Sequence, residues 1–450
     1  MAAPAAPIRP VPMAPGRLPL LGHAAKLLRA PLPFLSSLPT TGDLVEIQLG
    51  TQSAYVVCTP ELAHHVLTDS RTFDKAGLPY ELIKPLLGNG LITSTHTPHR
   101  RQRRLVQPAF HPQRLASYAE SMNIQIAAEL GTWREGATID VYERMGAVAT
   151  RTAAATMFAA DVAGPALTEM SQSLTIFLAG MYHRVLDPTG LLGRLPTPGN
   201  RRYRHALHTL HVLVDDIITA YRRSGRDHGD LLSTLLSARG QDDDEPLSDS
   251  EIHDQVINLF VAGAETTAST ASWALHLLAT HPAIARQVET EIEGVLHGRR
   301  ACHSDLPQLD LIRRVITEAL RLYPPVWLSC RATTTATTLA GHPIPADRTI
   351  MWSPYLLHRH PGLYTEPHRF DPSRWSDDCA KTPRGAFVPF SLGARRCIGD
   401  QFAMTEVTLI IAAVVGARWR LRPLSEADAV PAPRTMTLRP VRLPVRLSRG

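Results

Sequence analysis

Apolar residues recur along this chain with two different periods, and an element begins or ends where the period changes. From Asp43 to Thr59 the run DLVEIQLGTQSAYVVCT alternates apolar and polar positions around a Gly-Thr-Gln turn, which predicts a β-hairpin. PELAHHVLTD then opens a short helix with Pro60 in its first turn. Between Phe73 and Thr97, Gly and Pro interrupt the chain so often that it reads as an irregular segment, either a loop over a ligand pocket or a plain connector. A helical segment opens at His99 with HRRQRRLVQPAF. From Leu115 to about Ala220 the spacing is helical, with one break at Asp187 to Arg201 that separates two helices. Ser248 and Glu251 form a capping box, and the helical pattern after them runs unbroken to His281, before Pro282. That is roughly 33 residues or about 50 Å, long enough to traverse the molecule. The run WLSCRATTTATTLAGHPIP returns to alternation and turns at Gly-His, a further hairpin. Near the end, GDQFAMTEVTLIIAAVV has the apolar content of a buried helix.

Composition narrows this picture only a little. The chain has 450 residues, and 44% of them are hydrophobic, which is ordinary for a globular protein able to bury a large core. Length alone fits about three domains, or one large helical unit with a smaller appendage. The net charge of +6 is spread along the chain, with one dense run at Arg100 to Arg104. A diffuse excess of this kind is weak support for nucleic acid binding; a basic face for an acidic redox partner, or an ordinary solvated surface, explains it as well. The five cysteines, at 58, 302, 330, 379 and 397, are far apart and contain no CxxC pair, so neither a disulfide framework nor a zinc site is expected, and a reducing cytoplasm is. No apolar run approaches the roughly 20 residues that cross a bilayer, so no membrane anchor is expected. The proline-rich residues 1–14 read as a flexible arm ahead of one domain at 15–450, and QDDDEP at 241–246 as an acidic turn without the spaced ligands of a calcium loop.

The residues that carry chemistry are clustered more sharply. FSLGARRCIG, Phe390 to Gly399, places Gly393 where the backbone can turn tightly, Arg395 and Arg396 beside the thiol of Cys397, and a buried helix directly after it. Neighbouring cations and a helix N-terminus favour an ionised Cys397. His99 and Arg103 are one helical turn apart and suit a pair of carboxylates, or else form a solvated basic face. Inside the long helix stands AGAETT, Ala262 to Thr267, where helix propensity is given up. Small residues there let a flat ligand approach the backbone, and Glu265 followed by Thr266 can relay protons through water; the plainer alternative is a helix bent by two Thr with an exposed Glu. Glu318 and Arg321 are an i, i+3 pair of a common kind, and Arg331 sits in a strand-like run.

The spacing of Phe390, Gly393, Arg395, Cys397 and Gly399 resembles the haem-thiolate signature of the cytochromes P450. The resemblance implies a mainly α fold, a large helical region with a long central helix plus a small β-rich region, and one haem b held between that helix and the Cys397 loop. Cys397 would be the iron ligand, whose electron donation favours O–O cleavage. Ala262 and Gly263 would line the haem face, Thr266 would bond the water network around O2, and Glu265 would feed it protons. His99, Arg103, Arg331 and Arg395 would hold the propionates. Glu318, Arg321 and Arg374 of FDPSRW would form a buried structural network, with Trp375 standing where Phe is usual, and HRHP at His358 departs from the commoner HRDP. Phe177, Met181 and Tyr182, beside a mobile lid, and Val326, Leu328 and Met436 would touch a hydrophobic substrate.

The implied reaction is insertion of one oxygen atom from O2 into a C–H or C=C bond, with electrons from NAD(P)H through ferredoxin reductase and ferredoxin, in a cytoplasmic monomer. GMYHRVLDPTGLLGRLPTPGNRRY, SDSEIHDQVINLFVAGAETTAST and RLYPPVWLSCRAT are most similar to actinobacterial terpene-oxidising members, with fatty acids and polyketides as open alternatives. Peroxide-driven or isomerising haem-thiolate chemistry is a second reading, against which Glu265 and Thr266 weigh. A non-catalytic binder of haem or a terpenoid is a third.

Overall fold

Ser248 caps the long helix as its spacing predicts. Its Oγ accepts from the Glu251 amide, the Glu251 carboxylate accepts from the Ser248 amide at 2.9 Å, and a 32-residue central helix runs Asp249–Thr280. Pro282 cannot continue it and instead opens the next helix, Pro282–Leu296. The central helix buries residues on all its sides, from Val256 through Ala264 and Ala271 to Leu278, as a helix enclosed by others must. It packs on the helices Val141–Phe158, Asp310–Leu322 and Asp400–Gly416. In this computed structural model of the chain the described residues are 10–158, 164–185, 187, 193, 195–225, 227–238, 245–379, 382–425, 431–432 and 435–450.

Two apolar clusters share the central helix. Its first half, with Ile252, Val256 and Phe260, joins a cluster built with the helices Gly164–Val185 and Pro198–Ser224, while Ala271 to Leu278 join one built with the helices Pro112–Leu130 and Asp400–Gly416. A third cluster belongs to the β-rich region. There a five-stranded sheet runs in the order Leu44–Leu49, Gln52–Val57, Thr349–Trp352, Ser329–Thr333, Phe73–Asp74, antiparallel except for the second and third strands. The first hairpin closes on Leu49 opposite Gln52, with Gly50 at a φ of +60°. The Gly-His turn joins Thr337–Leu339 to His342–Ile344, as its sequence predicts. No described helix is long and apolar enough to cross a membrane.

Three expectations need correction. The segment Phe73 to Thr97 is not simply irregular, since it contains the helix Leu78–Leu87, with one Pro in its first turn and Pro85 inside it. The stretch just past that helix is held from outside: the amides of Asn89, Leu91 and Ile92 donate to Asp254, Gln255 and Asn258 on the central helix at 2.7, 3.2 and 2.9 Å. The helix expected from His99 starts at His96. The helical stretch from Leu115 has a further break, where the short strand Thr138–Asp140 pairs with Pro444–Arg449. The predicted break falls between the helices Gly164–Val185 and Pro198–Ser224; within it residues 188–192 and 194 lie outside the described residues, as do 241–244 of the acidic turn and residues 1–9 of the arm. The inner end of that arm is pinned, because Pro12 accepts from the Glu46 amide and the Ala14 amide donates back to Glu46.

Candidate functional site

The cysteine loop depends on one glycine twice over. Gly393 has a φ of +65°, and a Cβ there would stand 2.7 Å from the Leu67 carbonyl oxygen. Any side chain would therefore strain the backbone and push the loop off the helix Pro60–Thr68. The Cys397 amide donates to the Phe390 carbonyl at 2.8 Å and closes the loop, after which the helix Asp400–Gly416 begins. Cys397 opens onto a cavity of about 600 Å³ whose wall also includes Phe390, Arg395 and Gly399, and Ala262, Gly263, Glu265 and Thr266 of the central helix. A Cβ on Gly263 would meet nothing within 4 Å, so this side of the helix is open space.

The protonation expected of Cys397 is not what the fold alone produces. The residue's accessible surface lies on the cavity wall, and burial, with the charge of Asp400, pushes the thiol above its ordinary pKa, although the Gly399 amide, Arg103 and Arg396 pull it down. Two arginines and a helix end do not outweigh desolvation here. A cation on the sulfur is what would make it a thiolate.

Farther along the wall lie Lys75, Tyr80, Arg331 and Arg395. Arg395 donates to the Ser94 carbonyl at 2.7 Å and to Asp74 at 2.5 Å; Arg331 reaches the Tyr80 hydroxyl at 3.4 Å. Burial, then Arg331 and Arg395, hold the Lys75 ammonium well below its usual pKa. The guanidiniums of Arg331 and Arg395 and the Lys75 amine thus crowd together, with the Asp74 carboxylate beside them. His99 is buried nearby and is pushed down to about 2 by burial and by the charges of Arg395, Lys75, Arg103 and Arg331, so it is neutral. Neither His99 nor Arg103 lines the cavity. Arg103 instead braces the loop, donating at 2.5 Å to the carbonyl of Arg396, next to Cys397. Lys75 and Tyr80 escaped the sequence reading because they come from the segment that looked irregular.

On the central helix, Thr266 Oγ1 donates back to the Ala262 carbonyl at 2.6 Å, the bond that bends a helix. Glu265 is not an exposed acid. Its Oε1 accepts from Tyr142 at 2.9 Å and from Thr437 at 2.8 Å, with Arg439 Nε at 3.5 Å. A second acid, Glu406 on the helix after Cys397, is buried, and desolvation pushes it up to about 8, so it is neutral at pH 7. Its single helical position carried no signal in the sequence.

Glu318 and Arg321 are both fully buried and pair through two hydrogen bonds of 2.7 and 2.8 Å. Arg321 also donates to the carbonyls of His358, Pro367 and Arg369, and Arg374 Nε approaches Glu318 at 3.5 Å. Trp375 does more than keep an aromatic ring, because its indole donates to Glu318 Oε2 at 2.9 Å, a bond Phe has no atom to make. His358, held neutral by burial at about 3, accepts from the Val388 amide at 2.9 Å. The network thus fastens the stretch that leads into the cysteine loop. All six expected substrate contacts, Phe177, Met181, Tyr182, Val326, Leu328 and Met436, lie on the cavity wall. Phe177 stacks on Tyr203 with ring centroids 5.2 Å apart, and the Tyr182 hydroxyl donates to the Leu27 carbonyl at 3.0 Å.

The family model for cytochrome P450 matches residues 12–444. The chain belongs to the cytochromes P450. It is 47% identical to cyclooctat-9-en-7-ol 5-monooxygenase of Streptomyces melanosporofaciens over 91% of this chain and 89% of that protein. Cyclooctatin synthase of the same organism is 46% identical, over 96% and 94% of the two chains, and pentalenene oxygenase of Streptomyces avermitilis is 44% identical, over 97% and 96%. The crystal structure of the cytochrome P450DA heme domain superposes with a TM-score of 0.87 at 26% identity, covering 98% of each chain. A P450 monooxygenase uses haem and O2. The residues of this P450 fit haem: open space beside Gly263, a desolvated sulfur at Cys397, and the clustered Arg331 and Arg395 guanidiniums for a flat group with two carboxylates.

Proposed function

We propose that this P450 oxygenates a terpene or terpenoid. The observation that carries the reading is that one cavity is walled both by Cys397 and by Ala262 and Gly263, with Glu265 and Thr266 beside them. Bound there, haem supplies the activation of O2. Cys397 would be its ligand, and Arg331, Arg395 and Lys75 would neutralise its carboxylates, with the Tyr80 hydroxyl, which donates to the Cys330 carbonyl at 2.9 Å, accepting from Arg331. Arg103 and neutral His99 support that site from behind, Phe390 and Gly399 border it, and Gly263 leaves the face of the helix clear. Thr266 and Glu265 hold the water through which protons enter. Glu318, Arg321 and Arg374 keep the cysteine loop in place.

Ile83, Leu87, Phe177, Leu259, Val326 and Met436 give the rest of the cavity an apolar wall, which suits a hydrocarbon skeleton with few hydrogen-bonding groups. The names of its Streptomyces relatives point the same way. Electrons come from NAD(P)H through a ferredoxin reductase and a ferredoxin; Arg396, exposed beside Cys397 and paired with Asp400 at 2.6 Å, is a contact an acidic partner would compete for.

Two measurements test this reading. The reduced carbon monoxide complex should show the red-shifted Soret band of thiolate ligation and lose it in Cys397→Ser. Titration with a panel of cyclic terpenes, terpene alcohols and fatty acids should give a spin-state change with a terpenoid at the lowest concentration. A fatty acid binding tighter than every terpenoid would overturn the substrate class.

A further inference from the structure

The carboxylate of Glu265 is held in an asymmetric way. Tyr142, Thr437 and Arg439 all approach the same oxygen, Oε1, and among the described residues none hydrogen-bonds Oε2. The holders come from remote parts of the chain: Tyr142 from the start of the helix Val141–Phe158, Thr437 and Arg439 from the C-terminal region. Tyr142 is a firm donor, since burial and then the charge of Glu265 push its phenol far above the ordinary range, and it stays protonated.

Thr437 has a second affiliation. It belongs to the turn 435–437, and Thr435, Met436 and Thr437 all lie on the cavity wall. The turn is anchored on both sides. Trp327, itself on the cavity wall, donates through Nε1 to the Thr435 carbonyl at 3.2 Å, and the Leu438 amide donates to Pro325 at 2.8 Å. The Leu438 carbonyl accepts from Ser269 and Trp273 of the central helix, each at 3.0 Å. Leu438 is thus fixed to the helix that carries Glu265, one and two turns farther on. The residue before it reaches Glu265, and the residue before that meets whatever fills the pocket.

We propose that Tyr142 and Thr437 are positioning residues for the Glu265 proton relay, and that the turn 435–437 couples the relay to occupancy of the substrate pocket. The proposal rests on the reading of Glu265 as a relay. With Oε1 committed to two hydroxyl donors, Oε2 is the oxygen that carries the proton: it passes its proton to cavity water toward Thr266 and takes another from water on the solvent side. The two hydroxyls keep their own protons throughout. A substrate pressing on Met436 shifts Thr437, the only one of the two hydroxyls on the cavity wall, and so changes the orientation of the carboxylate. An empty pocket and a filled one then differ in how readily protons are delivered.

The test uses the haem-loaded enzyme with Glu265→Gln, Tyr142→Phe, Thr437→Val, which removes only the hydroxyl at nearly constant shape, and Thr437→Ser, which restores it. One readout is independent of turnover: the infrared difference spectrum between substrate-bound and substrate-free resting enzyme, with the Glu265 carboxyl band identified by its loss in Glu265→Gln. That band should shift on substrate binding in the parent and in Thr437→Ser and stay unmoved in Thr437→Val. The second readout is product formed per reductant consumed, with its solvent isotope effect. Thr437→Val and Tyr142→Phe should lower the coupling by about ten-fold or more, the worth of one hydrogen bond to a charged group, and Thr437→Ser should restore it. Unchanged thermal midpoints and carbon monoxide spectra establish that the variants fold and keep haem. If Glu265→Gln leaves coupling and isotope effect at parent values, the relay reading itself falls. If Glu265→Gln acts while Thr437→Val and Tyr142→Phe leave band and coupling unchanged, the relay stands and the positioning proposal is overturned.

Discussion

Single residues decide how much of the site is preformed. Trp375 shows this on the structural side, because its indole bond to Glu318 satisfies a carboxylate with no access to water. Trp375→Phe should lower stability by about 1–2 kcal/mol, read as a fall in the urea midpoint at unchanged slope, because the lost donor leaves part of a buried charge unsatisfied. Glu406 shows the opposite economy, a carboxyl kept neutral by desolvation at about 8. A carboxyl raised in the folded state contributes stability that is whole below its unfolded value near 4.3 and is lost as pH rises through the folded value. Unfolding free energy should therefore fall between about pH 4.5 and pH 8 by an amount that Glu406→Gln removes. The variant should gain on the parent by about 3 kcal/mol between pH 5 and pH 8, and parallel pH profiles for the two proteins would refute this.

At the scale of elements, the central helix organises its surroundings through polar side chains as well as apolar ones. Asp254, Gln255 and Asn258 accept from three backbone donors of the 89–92 segment, and the Asn258 amide donates to the Leu87 carbonyl at 2.7 Å, closing the end of the helix Leu78–Leu87. Asn258→Ala should therefore loosen this segment without melting the central helix. Amide hydrogen exchange at Ile92 and Asn89 should accelerate by about ten-fold or more, the worth of a buried hydrogen bond, while protection at Ala271 to Leu278 stays at the parent level. Equal acceleration in both places would show that the segment and the helix open together. The same segment explains the least legible part of the chain. The sequence 73–97 looks like a connector because Pro79, Pro85 and several glycines break its local pattern, yet a helix forms there, its C-terminal end tied to a neighbour far away in sequence.

For the whole molecule, the charge balance of the cavity wall is the governing quantity. Lys75, Arg331 and Arg395 crowd together beside Asp74, and Arg331 lowers both Lys75 and Arg395, so the haem-free protein carries repulsion that a dianion would relieve. Lys75→Met should act with opposite signs in the two states. The haem-free protein should unfold at a higher denaturant concentration than the parent, and the loaded protein should lose haem faster, by about three- to ten-fold, to an acceptor such as apomyoglobin. A variant that is less stable without haem, or retains haem as long as the parent, would show that Lys75 is not part of that balance. By itself the sequence determined the elements whose causes are local: the central helix capped at Ser248 and stopped before Pro282, the hairpin at Gly50, the Gly393 turn, and the small residues at 262–263. It also named Cys397 through the company it keeps, because that loop is contiguous. Only the tertiary structure decided what meets at the cavity, since Tyr142 and Thr437 stand 123 and 172 positions from the Glu265 they hold. It also set burial and Asp400 against the two arginines at Cys397, which the adjacent sequence favours as an anion. The reason is common to both: desolvation and long-range contact are properties of what closes around a residue, and a sequence records only what stands beside it.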